Sequence, residues 1–295
     1  MRRSLKWLSL LAALTVVAAP IPKIHAQDAE KPGLGSPAVP YVPTPEEVVM
    51  GMLELANVGR DDIVYDLGSG DGRLVITAAQ KFGAKKGVGI EINPGLVNKS
   101  RENAREAGVG DRVQFLNQDL FRSDFREASV VTLYLLPRIN LELRPKLLSE
   151  LRPGSRVVSH AFSMGDWKPD KRVTVDNRTA YLWIIPARVE GNWTGTLSTQ
   201  SGQSIPYRMQ VKQSFQNARA TAEIAGTTVS LPDIKLVGDR LSFEHRQKIN
   251  GQEMRVRVNA QVVNNSLQGT AEVLSANSTE TFAMTGTRAS TNQGG

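Results

Sequence analysis

Two textures of hydrophobic patterning divide the chain. Between about Tyr41 and Pro186, short β-branched runs alternate with stretches of helical periodicity, the pattern of a parallel sheet with helices on both faces. From Gly191 to Arg288 the period changes to two. Met254, Val256, Val258, Ala260 and Val262 are apolar, while Arg255, Arg257, Asn259 and Gln261 between them are polar and read as a solvated strand face. Turn residues near Asn217, Gly226, Gly238, Asn264 and Asn277 separate about eight short strands, which predicts an all-β antiparallel meander or barrel. Asn250-Gly251, just before the alternating strand, is a hairpin signal.

Local signals place the elements of the first region. Thr44 as N-cap, Pro45 at the first helical position and Glu47 form an expected capping box ahead of Val48, Val49, Met52, Leu53 and Leu55. Further helices are expected from Arg73 to Phe82, closed by Gly83, and from Asn93-Pro94 to Ala107, with Gly108 ending the helix in a left-handed turn. Strands are expected at Ile63 to Leu67, Gly87 to Ile92, Val113 to Leu116, Val130 to Leu136, Arg156 to Ser159 and Ala180 to Ile185. The expected domains are 41–189 and 190–288.

Composition changes this picture at the ends of the chain. A length of 295 residues suits two domains. The formal charge of +7 suggests nucleic acid, but Arg2, Arg3, Lys6 and Lys23 supply four of those charges before any acid occurs. The remaining balance of +3 is unremarkable, so no nucleic-acid partner is expected. The same basic start, the apolar run Trp7 to Ala19, Pro20, Pro22 and small Ala26 read as a cleavable signal peptide over 1–26. That run is shorter than the ~20 residues a bilayer span requires. An exported protein of the periplasm or cell envelope is therefore expected, with a polar linker over 27–40 and a disordered tail over 289–295. The chain has no cysteine, which excludes disulfides and thiolate metal sites, and no metal is expected.

The segment that carries chemistry is Tyr65-Asp66-Leu67-Gly68-Ser69-Gly70-Asp71-Gly72-Arg73, where a buried strand ends in an acid and a glycine-rich turn opens a helix. Open α/β sheets bind ligands at such strand ends, and the amides at the helix start are expected to offer donors. Arg73 stands where a dinucleotide fingerprint needs its third glycine, which argues against NAD. Glu91 follows at the end of the second strand, about 20 residues on, where a carboxylate accepts from both ribose hydroxyls. Asp119 comes after the third strand, placed to accept from an adenine amino group while Leu120 covers the ring. Three separate elements thus converge on one nucleoside.

These residues resemble a family. Asp66 to Gly72, Glu91 and Gln118-Asp119-Leu120 look like the class I S-adenosylmethionine-dependent methyltransferases. With Val42-Pro43-Thr44-Pro45 upstream, the string is similar to the Dot1-like lysine methyltransferases and the mitochondrial ATP-synthase c-subunit lysine methyltransferase group. The resemblance covers Tyr41 to about Pro186 and implies a Rossmann-like seven-stranded sheet. It implies S-adenosylmethionine as cofactor: Asp66, Gly68, Ser69, Gly70 and Gly72 beside the methionine moiety, Asp71 and Thr44 toward its amino and carboxylate groups, Glu91 at the ribose and Asp119 with Leu120 at the adenine. The acceptor segment falls at Thr132 to Pro137, and Tyr134 and Asn140 are the candidate catalytic residues. No Asn-Pro-Pro-Tyr of nucleic-acid amino methyltransferases is present.

Methyl transfer asks mainly for alignment of nucleophile, methyl carbon and sulfur. A lysine acceptor must also lose its proton, which a dry pocket favours, and Tyr134, Phe162 and Trp167 are available as walls. Tyr134, at the end of a buried strand, reads more readily as a core aromatic than as an acceptor gate, and His160 more readily as a structural histidine than as a proton acceptor. Three functions remain open: a methyltransferase acting on protein lysine, one acting on a small molecule, and an exported binding protein that keeps the nucleoside pocket without transferring methyl groups.

Overall fold

The computed structural model describes residues 41–249, 252–275 and 278–289. The expected signal peptide, the linker over 27–40, the turns at Asn250-Gly251 and Asn277, and residues 290–295 of the expected tail lie outside the described residues. The first domain contains α1 (Glu46–Leu55), β1 (Ile63–Leu67), α2 (Arg73–Lys81), β2 (Lys86–Glu91), α3 (Pro94–Glu106), β3 (Val113–Asn117) and β4 (Val130–Leu133). It continues through α4 (Pro137–Glu150), β5 (Arg156–His160), β6 (Lys171–Val175) and β7 (Arg178–Ile184).

The seven strands form one sheet in the order β3-β2-β1-β4-β5-β7-β6. β1 to β5 are parallel, but β7 runs antiparallel to both β5 and β6, so the sheet is mixed where an all-parallel one was expected. β6, unassigned from sequence, and β7 form a hairpin turning at Asp176-Asn177, both at positive φ (48° and 56°). A hairpin reverses direction without a crossover, which sets the antiparallel edge.

Two apolar layers cover the sheet. Val64, Val130 and Val158 point toward α1, α2 and α3. Tyr65, Leu67, Val131 and Leu133 point the other way, toward Ile139, Leu143 and Leu147 of α4. β4 stops at Leu133 where a continuation to Leu136 was expected; Tyr134 to Leu136 form neither strand nor helix, and α4 follows from Pro137. Buried Ile139, Leu143 and Leu147 recur every fourth residue, and Pro145 within the helix sits on the exposed side.

The expected capping box at Thr44 is not formed. α1 begins at Glu46, Pro45 flanks it in an extended conformation, and no side chain caps it. The Thr44 hydroxyl instead meets His160 Nδ1 at 3.3 Å, a tertiary contact that outcompetes the local one. Asn93 does cap its helix, accepting from the amides of Gly95 and Leu96.

The second domain is an eight-stranded closed barrel. It comprises β8 (Gly191–Ser198), β9 (Ser204–Ser214), β10 (Asn217–Ile224), β11 (Thr227–Val237), β12 (Arg240–Ile249), β13 (Gln252–Val263), β14 (Ser266–Leu274) and β15 (Thr279–Arg288). Closure comes from β8 pairing with both β9 and β15, which leaves no free edge. Between β11 and β12 pairing is confined to three registers beside Gly238, so that seam splays away from the turn. Arg255 and Arg257 lie on the expected solvated face, paired with Glu244 and Glu272.

Tyr207 fills the interior space left by Gly195 and Gly286, where any Cβ would collide with its phenol. It is 3 % exposed, its hydroxyl has no partner, and burial pushes its pKa up to about 12. An orphaned buried hydroxyl carries a desolvation cost that phenylalanine does not. Tyr207→Phe is therefore expected to stabilise the chain by about 1 kcal/mol in urea unfolding; a loss of stability would show that the hydroxyl is satisfied.

Candidate functional site

A cavity of about 1110 Å³ opens at the carboxyl ends of the parallel strands. The sequence dictates its floor. β1 ends at Leu67, and Gly68, Gly70 and Gly72 all take left-handed φ values (80°, 54° and 82°) before α2 begins. That path requires glycine. At Gly70 a side chain would also strike the ring of Tyr41, and at Gly72 it would strike Phe115 and Ser100.

The turn is tied to the end of β2. The amides of Gly68 and Ser69 both donate to the Ile90 carbonyl (2.8 and 3.0 Å). Glu91, 8 % exposed, accepts from the Gly70 amide through Oε2 and from the Asn93 amide through Oε1, each at 2.9 Å. The Gly72 amide donates to the Ser69 carbonyl. Four turn amides expected to face a ligand are therefore engaged by the protein itself, and what the turn presents to the cavity is close backbone approach.

Acidic groups dominate the electrostatics. The carboxyl of Asp66, at the end of β1, is 3 % exposed and accepts from Thr132 Oγ1 at 2.7 Å. Burial, reinforced by the neighbouring Glu91 and Asp71, pushes its pKa up to about 8 despite that bond. Burial would also raise Asp71, but the Arg73 guanidinium, gripping it with Nε (2.9 Å) and Nη2 (2.6 Å), holds it below the usual carboxylate range. The same guanidinium donates through Nη1 to the Thr44 carbonyl at 2.8 Å and so fastens the segment 41–44 over the glycine turn. Asp119 receives the Phe121 amide at 2.9 Å.

Thr44, Asp66, Gly68, Ser69, Gly70, Asp71, Glu91, Asp119, Leu120 and Tyr134 all line this one cavity. Gly72 does not; it shapes the turn from beneath, facing Phe115 and Ser100. Asn140 is fully buried behind the wall, where its amide donates to Ser159 Oγ (3.2 Å) and the Phe162 carbonyl (3.4 Å), and its Oδ1 has no partner. Trp167 is also away from the cavity, packed against Trp183 and Phe215. His160 is buried and neutral: burial, then Arg178, lowers its pKa to about 4. Its ring lies 3.9 Å from that of Tyr134, and Tyr134 stacks on Phe162 at 6.2 Å.

Residues not singled out from sequence complete the lining, among them Tyr41, Phe121, Arg138 and Glu142. Arg73, which in the sequence served only to argue against NAD, also lines the cavity. The others arrive through tertiary folding.

A family model described as the ANTKMT methyltransferase domain matches residues 66–171. A protein-lysine N-methyltransferase from Saccharolobus islandicus is 50% identical over 153 residues, half of this chain and 95% of the relative. The mouse lysine N-methyltransferase of the ATP-synthase c-subunit is 36% identical over 178 residues, 60% of this chain and 68% of the relative. The structure of an RNA methyltransferase from Salinibacter ruber in complex with S-adenosyl-L-homocysteine is 58% identical, with a TM-score of 0.49, covering 50% of this chain and 96% of that one. The barrel lies beyond the residues that the family model matches.

Replacing Glu91 by alanine strips acceptors from two amides in the floor of the cavity. The expected cost is about 1–3 kcal/mol of stability even without ligand, read from denaturant unfolding; an unchanged midpoint would show that the turn holds itself.

Proposed function

The chain belongs to the S-adenosylmethionine-dependent methyltransferases, and we propose that it transfers methyl groups to lysine side chains of proteins. One observation carries this reading: carboxylates from three successive strand ends line a single cavity whose lining also includes the stacked rings of Tyr134 and Phe162. The fit to the cofactor follows from the chemistry of the lining. Beside the glycine turn Arg73 is neutralised by Asp71 while Asp66, Glu91 and Asp119 offer acceptors, so this part of the cavity, whose lining elsewhere includes Arg122 and Arg138, suits a ligand with a cationic centre and hydroxyl or amino donors.

When bound, S-adenosylmethionine supplies a methyl group on a cationic sulfur that departs with its bonding electrons. We assign Glu91 to the ribose hydroxyls, and Asp119 with Leu120 to the adenine. Asp66, Gly68, Ser69, Gly70, Asp71 and Thr44 surround the methionine portion. Glu91 serves twice, because each carboxylate oxygen already engaged by an amide retains a second acceptor direction. Tyr134 and Phe162 enclose the aliphatic stem of the acceptor lysine and keep water from its amine. Such a dry wall lowers the ammonium pKa and leaves the nitrogen lone pair free. The lysine methyltransferases of Saccharolobus islandicus and mouse support this acceptor.

Incubating the full chain with tritiated-methyl S-adenosylmethionine and an envelope extract is expected to place label in protease-sensitive material that yields methyllysine on hydrolysis. Label confined to organic-soluble or ribonuclease-sensitive material would overturn the lysine reading. Binding by calorimetry without any transfer would identify a binding protein instead.

The basic start and apolar run before Ala26 support export, and we place the mature enzyme at the cell envelope. Mass spectrometry of fractionated cells is expected to find an envelope protein beginning at Gln27; a full-length chain in the cytosol would contradict this.

A further inference from the structure

We propose that Phe215, in the barrel, is a positioning residue for the acceptor end of the cavity in the first domain. The inference rests on the reading of Tyr134 and Phe162 as acceptor walls.

Phe162 belongs to residues 161–170, which follow β5 without forming a helix or a strand. Ala161 and Gly165 take left-handed φ values of 64° and 66° there. Apart from an isolated bridge between Met164 and Trp167, the segment has no ladder of its own and depends on neighbours for its shape. On one side α4 holds it. Asn140 donates to the Phe162 carbonyl, and Arg144 donates to the Met164 carbonyl at 2.7 Å and pairs with Asp166.

On the other side the hold comes from β7, whose Trp183 indole donates to the Trp167 carbonyl at 2.9 Å, and from the barrel. The turn between β9 and β10 reaches into the first domain and lays the Phe215 ring on Trp167, with centroids 5.8 Å apart and planes 16° from parallel. The Arg144 guanidinium covers the same ring at 5.1 Å. Next to it, Gln216 Nε2 donates to the Lys168 carbonyl at 2.7 Å. Phe215 thus touches both the loop, through Trp167, and the arginine by which α4 grips that loop.

The conformation of Phe215 strengthens the case. Its φ is 53°, a region uncommon for a bulky side chain and natural for glycine. Gln213 Nε2 secures that backbone by donating to the Phe215 carbonyl at 2.8 Å. An aromatic ring held in a strained turn, at a contact between two domains, marks a position where the ring itself is required. The family model matches residues 66–171, which include this loop and leave out the barrel, so the barrel meets the methyltransferase domain at the loop carrying Phe162.

Phe215→Gly is the informative variant, because it deletes the ring while relieving the backbone strain, so the hairpin keeps its fold. Deuterium exchange of residues 161–170 in the full chain is expected to accelerate about tenfold or more while exchange in 63–91 stays unchanged. Calorimetry with S-adenosylhomocysteine should give an affinity within about twofold of the original. With Nα-acetyl-lysine methylamide as acceptor, KM is expected to rise about tenfold while kcat changes less than about threefold, and Phe215→Trp to restore KM. Unaltered exchange in 161–170, or a parallel loss of product affinity and protection throughout the first domain, would overturn the proposal. If the original chain does not methylate the lysine amide, the lysine reading falls, and the exchange measurement still decides whether Phe215 holds the loop.

Discussion

The site depends on the bond between the glycine turn after β1 and the end of β2. Glycine permits the turn but does not hold it. The Ile90 carbonyl and the Glu91 carboxylate hold it, by capturing three consecutive amides from Gly68 to Gly70. Because β1 and β2 are adjacent and in register, with Leu67 opposite Ile90, the acceptors arrive where the turn leaves the sheet. Everything else about the cavity is built on that edge: the left-handed entry into α2, the contact with Tyr41, and the separation of Asp66 from Glu91 on neighbouring strands.

Concentrating acids at one end of a parallel sheet has an energetic consequence. Asp66, deep in the site and bonded by Thr132, keeps its proton well above the usual range. Its charge is unfavourable in the unliganded site, so a cationic ligand gains by restoring it. The cation beside the turn, Arg73, is already engaged by Asp71 and by the Thr44 carbonyl. The protein has therefore assigned this positive charge to fastening the covering segment and not to a ligand. This division of labour suits a sulfonium better than a phosphate.

The two domains meet through turns. Besides Phe215 and Gln216, the Gly238 turn packs against Gly154, and the Ala187 amide donates to the Gly238 carbonyl at 2.7 Å. Both hairpin turns emerge from the end of the barrel nearest β5, while the splayed seam between β11 and β12 lies toward the other end. The barrel thus closes its own edges by pairing β8 with β15 and uses its turns as contact surfaces. Its hold falls on 161–170, a stretch of the acceptor wall that forms neither helix nor strand.

Period and glycine placement in the chain already specify a great deal. Strict alternation from Met254 to Val262 determines which side of β13 faces the barrel interior, because strand period is independent of context. Asp66, Glu91 and Asp119 are legible for the same reason: each sits a fixed distance from a strand end, and parallel strands bring their ends together. What the sequence cannot decide is any feature set by competition between local and distant partners. Thr44 carries a strong local capping signal, yet His160, 116 residues away, takes its hydroxyl. Pro137 and Pro145 disguise α4, whose helix is stabilised by burying Ile139, Leu143 and Leu147 against the sheet. Trp167 looks like a cavity wall until Phe215 arrives from another domain to cover it. Local pattern determines the elements and the acids at their ends; only tertiary packing decides which neighbour each side chain takes, because contacts from distant segments release more free energy than the local alternatives they displace.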